Sequence, residues 1–162
     1  MIRRTARAAV AAVAFSLLSA CAVQPTSAQP EPKNLYPNET AELRRLIVEA
    51  AHENEVPVSL VQRVVVREST HRPEARNGPY YGLMQILPAT ARSMGFQGQP
   101  RDLLEPETNL KYAVRYLRGA WLVSDGDEKE AVRWYARGYY HQAKRKGLVE
   151  ETGVDGQKSW TD

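Results

Sequence analysis

Beyond residue 40, apolar positions return every three or four residues along most of this chain, the period of helices that bury one face. Leu43, Leu46, Ile47 and Ala50 put such a face on a helix over 41–53, for which Asn38 is the expected N-cap. Pro57 restarts the chain, and Leu60, Val61, Val64 and Val65 keep helical spacing as far as Glu68. The β-branched run Val64-Val65-Val66 also fits a short buried strand, but the length from Pro57 to Ser69, with proline at its start, favours a helix. Pro88 to Met94 reads as a short helix closed by Gly95, and Pro106 to Val123 as a longer one buried through Leu110, Ala113, Val114 and Leu117. Asp127 and Glu130 resemble a capping box opening a last helix, expected to run to Lys146 before Gly147 ends it. Strand signals are sparse, so the expected class is all-α. Periodicity stops after Leu148, and 148–162 is expected to be a loosely packed tail.

The first 20 residues follow another pattern. Arg3, Arg4 and Arg7 precede an apolar stretch from Ala8 to Leu18, with small residues at Ser19 and Ala20, as in an export signal. The stretch is short of the about 20 apolar residues a membrane-spanning helix needs. The chain's one cysteine follows at once, in Leu18-Ser19-Ala20-Cys21. This ending resembles the lipobox of bacterial lipoproteins, which implies cleavage before Cys21 and its lipidation. The other reading is an incidental thiol beside an ordinary cleavage site. Ala22, in place of Asp at the next position, implies by the same resemblance the outer membrane, with the domain facing the periplasm of the cell envelope. Pro25, Pro30, Pro32 and Pro37 then resist helix and strand alike. A tether of this kind gives roughly 3 Å of reach per residue. The expected organisation is a signal peptide over 1–20, a lipidated cysteine and tether over 21–37, a folded domain over 38–147 and the tail.

With 43% apolar and 25% charged residues the composition allows one ordinary globular domain. The net charge of +3 comes from the signal: setting aside its three arginines leaves 19 basic against 19 acidic residues. A balanced mature chain without a basic and aromatic stripe gives no footing for nucleic-acid binding. One cysteine excludes an internal disulfide. His52, His71 and His141 are isolated and lack cysteine partners, so neither a metal site nor a cofactor is expected.

Glu68 is the residue that points to chemistry. It lies four residues after Val64 and seven after Val61, on the apolar face of its helix. It also falls in the last turn, at the negative end of the helix dipole. Both effects favour the protonated acid and raise its pKa, the property required of a glycosidase acid. A plain surface glutamate on a differently phased helix is the alternative from spacing alone.

Around it stand Arg67-Glu68-Ser69, then Tyr81-Gly82-Leu83-Met84-Gln85-Ile86, then Pro88-Ala89-Thr90-Ala91, and further on Asn109-Leu110 and Tyr116-Leu117. Together they resemble the catalytic core of the soluble-lytic-transglycosylase (SLT) family, related in fold to goose-type lysozyme. The resemblance runs from about Glu53 to Gly147. It implies an all-α, lysozyme-like domain with a substrate groove, acting on peptidoglycan glycan strands between N-acetylmuramic acid and N-acetylglucosamine and leaving 1,6-anhydromuramic ends. It implies that Glu68 is the catalytic acid and base, that Ser69 bonds near the acetamido group, and that Met84 and Gln85 line the groove. Gly82 would let backbone approach the sugar, Tyr116 would face the acid across the cleft, and Tyr135 would keep a substrate-binding position. A monomer is expected.

Two departures affect specificity. Where the family carries Tyr-Asn-Ala-Gly on its last core helix, this chain reads Tyr135-Ala136-Arg137-Gly138, and the loop before Gly82 reads Asn77-Gly78-Pro79-Tyr80-Tyr81. A hydrolytic muramidase would need a second carboxylate, for which Asp102, Glu105 and Glu107 are the candidates in sequence order. A glycan-binding envelope lipoprotein with weak catalysis is the non-enzymatic alternative, and the missing Asn is its best argument.

Overall fold

The computed structural model describes residues 34–156. The expected signal peptide, Cys21 and the tether up to residue 33 lie outside the described residues, as does the tail from 157 onward. Within them the chain forms α1 (Ala41–Glu53), α2 (Val58–Glu68), a two-stranded antiparallel hairpin of β1 (Arg76–Asn77) and β2 (Tyr80–Tyr81), and α3 (Pro88–Ser93). A 3-10 turn over Pro100–Leu104 leads into α4 (Pro106–Val123), followed by α5 (Glu128–Arg137), α6 (Tyr140–Lys146) and α7 (Val149–Thr152). The domain is all-α apart from the hairpin. Among the described residues no helix is long and apolar enough to cross a membrane.

The longest helix, α4, is the axis of the fold. Pro106 sits in its first turn, where a missing N–H costs nothing. Leu110, Ala113, Val114, Leu117, Ala120 and Val123 bury a continuous stripe along it, against which α1, α3, α5, α6 and α7 pack. α2 lies between α1 and α5. Its Leu60, Val61, Val64 and Val65 are fully buried while Val66 faces out, the three-four spacing of a helix, so the β-branched run is helical here.

Three local expectations are corrected. The N-cap of α1 is Thr40, whose hydroxyl accepts from the Leu43 amide; Asn38 takes a left-handed backbone at φ 63° and donates to the Thr70 carbonyl. The helix expected over 127–146 breaks at Gly138, at φ 83°. The break lets Tyr139 turn inward and bury its ring against Gly119 of α4, a position with no room for a side chain. Residues 148–156 do not form a loose tail: Leu148, Val149 and Val154 pack on the core and Thr152 is buried, because α7 closes the open side of α4.

Candidate active site

Glu68 is the last helical residue of α2. Ser69 follows as C-cap, its amide bonding Val65, and Thr70 and His71 then take left-handed backbone at φ 51° and 59°. This reversal leaves the Glu68 side chain at the mouth of a groove of about 640 Å³, on the apolar stripe but 22% exposed. One wall is the hairpin, through Asn77 and Tyr80; the floor is Gln85 to Leu87 with Tyr116; the far wall is the end of α5, from Tyr135 to Gly138. Burial pushes the Glu68 carboxyl above the usual carboxylate range, and the charge of Arg67, whose Nε lies 3.4 Å from Oε1, opposes that rise in part. The group can therefore hold a proton at a pH where an exposed glutamate has lost it.

Three tyrosines pack together at the floor and far wall, Tyr116 and Tyr135 in the lining and Tyr139 buried beside them. The Tyr116 ring meets that of Tyr135 edge-on at 5.4 Å and lies at 4.7 Å from that of Tyr139. Tyr139 donates to the Tyr116 carbonyl at 2.9 Å, and Tyr135 to the Met84 carbonyl at 2.8 Å. Burial pushes the Tyr116 phenol up to about 12 and those of Tyr135 and Tyr139 well above their ordinary value. Burial thus favours the neutral phenol in all three, and Tyr135 and Tyr139 serve as hydrogen-bond donors.

Of the residues expected to touch substrate, Gln85, Tyr116 and Tyr135 line the groove with Glu68, whereas Ser69, Gly82 and Met84 lie behind its wall. Ser69 is buried and its hydroxyl bonds the Val65 carbonyl. Met84 is fully buried in the core as an apolar side chain, and only its backbone makes polar contacts: its amide donates to Asn109 Oδ1 and its carbonyl accepts from Tyr135. Gly82, at φ 72°, makes room for the Asn109 side chain and the Leu103 carbonyl, not for a sugar. Gln85 reaches the groove from a left-handed backbone at φ 48°, and its amide nitrogen is held by the Ala75 and Gly82 carbonyls. Asp102 and Glu105 line a different cleft and Glu107 a third. None of them faces Glu68.

A family model described as transglycosylase SLT domain matches residues 45–155 of the chain. The chain belongs to this family. The SLT domain is also 36% identical over 98 residues to the protein named peptidoglycan transglycosylase gp16 of Escherichia phage T7. That match covers 57% of this chain and only 7% of the phage protein, so the chain spans a small part of that relative's length.

Two elements of the SLT domain escaped the sequence as site-builders. Asn109, fully buried on α4, accepts from the Met84 amide and donates to the Tyr81 and Leu103 carbonyls, pinning the 81–84 loop; the signal was an amide on an apolar stripe. The second is a buried polar chain between the segment ahead of α1, α2 and the turn that follows it. Arg44 bonds both oxygens of Glu39, the Tyr36 amide and Gln62 Nε2 add two more donors, and His71 Nε2 donates to Gln62 Oε1 at 2.7 Å. Since Gln62 spends its amide nitrogen on Glu39, its oxygen must accept, which puts the His71 proton on Nε2. Burial holds His71 below its ordinary pKa despite the pull of Glu39, so it is neutral. This chain ties the segment ahead of α1 to the turn that ends α2, and no periodicity announces it.

Proposed function

We propose that this SLT domain is a lytic transglycosylase that cleaves the N-acetylmuramic acid to N-acetylglucosamine bond of peptidoglycan without water. The observation that carries the reading is that Glu68 is the one carboxylate among the described residues lining the groove. Glycosidases of the usual kind employ two, the second as nucleophile or water-activating base. Here the substrate would supply the second group. Neutral Glu68 gives its proton to the glycosidic oxygen as the bond from muramic C1 breaks, with the 2-acetamido group sharing the charge that develops at C1. The glucosamine end leaves as an alcohol. The carboxylate then takes the proton of the muramic 6-hydroxyl, whose oxygen closes on C1, and Glu68 is restored to its acid form. No water enters. The name of the phage relative supports the substrate class, and the exposed ring of Tyr80 offers a sugar a flat apolar surface at the groove wall. Mass spectrometry of products released from purified sacculi tests the reaction: anhydromuropeptides without a reducing end support it, and products one water heavier with reducible muramic termini overturn it in favour of a muramidase.

The same reading places the enzyme in the cell envelope as an outer-membrane lipoprotein facing the periplasm, held through Cys21, and supports wall turnover or local remodelling. The motive is the Leu18-Ser19-Ala20-Cys21 ending followed by a proline-rich stretch. Cys21→Ser should release the protein from the membrane fraction; wild type found wholly soluble in the periplasm rejects the anchor.

A further inference from the structure

Apart from Glu68 and the tyrosines, the ionisable groups lining the groove are two arginines 70 residues apart in the chain, Arg67 at the close of α2 and Arg137 at the close of α5. The Arg67 side chain is half exposed, and Glu68 is the one carboxylate paired with it among the described residues. The contact is long, with Nε 3.4 Å from Oε1. Arg137 is exposed, and its guanidinium lies over the Trp134 ring, 3.9 Å from the centroid. Stacking occupies the face of a guanidinium and leaves its edge, a rigid fork of N–H donors, directed elsewhere. Among the described residues no carboxylate pairs with Arg137; Glu130, two turns earlier on the same face of α5, is taken by Arg133.

Two cations in one groove, one of them pre-oriented on an aromatic ring, form an arrangement suited to a planar anion. We propose that Arg137, aided by Arg67, is a carboxylate-binding subsite that selects glycan strands whose muramyl units carry negative charge. The inference rests on the peptidoglycan reading above and names a feature of the substrate that cleavage itself does not require. The carboxylate has two sources of the same chemistry: the stem peptide, or the lactyl group once the peptide is removed. A neutral glycan would lack the contact altogether.

Binding can be measured without cleavage in Glu68→Gln protein, which preserves the strands. Calorimetry at low salt would compare soluble peptidoglycan strands bearing stem peptides, strands stripped of peptides by an amidase, and each preparation after its carboxylates are coupled to methylamine. The expected result is that methylamidation weakens binding about tenfold, the scale of a charge-assisted contact. The double variant Glu68→Gln/Arg137→Gln should bind untreated strands more weakly and distinguish them from amidated ones far less, the remainder being what Arg67 contributes. Arg137→Lys, which keeps charge but not the fork, should fall between. A loss confined to peptide-bearing strands assigns the stem peptide; one confined to stripped strands assigns the lactyl carboxylate. Equal binding of treated and untreated strands by protein that retains Arg137, or an Arg137→Gln variant with an unchanged melting point and unchanged affinity, overturns the subsite. Should wild type release no anhydro products while the carboxylate discrimination persists, the cleavage reading fails and the subsite stands.

Discussion

The hydroxyl of Tyr135 on α5 donates a 2.8 Å hydrogen bond to the carbonyl of Met84, 51 residues earlier in the chain, and so ties the far wall of the groove to the buried residue that precedes its floor. The bond is buried, and the Met84 amide on the other side is held by Asn109. Tyr135→Phe leaves that carbonyl without its partner in a dry site. A loss of about 1–3 kcal/mol is expected, seen as a lower thermal midpoint, with turnover reduced as the walls loosen. A variant with wild-type stability would show the bond to be dispensable.

Gly82 tests the same wall from behind. Its backbone is left-handed at φ 72°, and a methyl group there would collide with the Asn109 side chain and the Leu103 carbonyl. Strained backbone and overpacking together should cost Gly82→Ala about 3 kcal/mol or more. Chemical denaturation checks this, and a cost below about 1 kcal/mol would place the glycine in open space.

The buried chain of Glu39, Arg44, Gln62 and His71 is expected to shape the acid limit of stability. Burial raises the Glu39 carboxyl, but the hydrogen bonds from Arg44, the Tyr36 amide and Gln62, with the Arg44 charge, outweigh it and hold the group at about 2. A depressed folded pKa stabilises fully above the unfolded value of 4.5 and is lost as pH falls from there through about 2. His71, held below 6.5 by burial, acts in the same direction, since its protonation on unfolding draws the equilibrium that way as pH drops beneath that value. Arg44→Met strands a buried carboxylate and should cost about 3–5 kcal/mol at neutral pH. Melting curves from pH 2 to 7 should also show a flatter acid limb for this variant, and an unaltered limb would remove Glu39 as its source.

Helices whose ends carry proline and whose stripes are continuous were readable from the sequence: α4 runs over Pro106–Val123 as its pattern implies. The break at Gly138 was hidden because Tyr135, Tyr139 and Ala143, all buried, continue a helical spacing across it. The short hairpin has two residues per strand, too few for an alternation to register. At the site, Glu68 was legible as a charge on an apolar face. The positions of Ser69, Gly82 and Met84 were not, because what they contribute is made by backbone atoms, by a buried hydroxyl and by the absence of a side chain. Asn109, Glu39 and His71 work through partners distant in sequence, and spacing cannot reveal such pairs.

Glu68→Gln tests the central claim most directly, by measuring turnover of sacculi and thermal midpoint on one preparation. A raised folded pKa means a contribution to stability that is present below 4.5 and lost as pH rises through the folded value. The uncharged amide escapes that loss, so the variant should melt at the wild-type temperature or above it at neutral pH. Its turnover should fall by about 10² to 10⁴, or further where one group serves both proton transfers. A folded Glu68→Gln protein that keeps most of the wild-type rate would contradict the account.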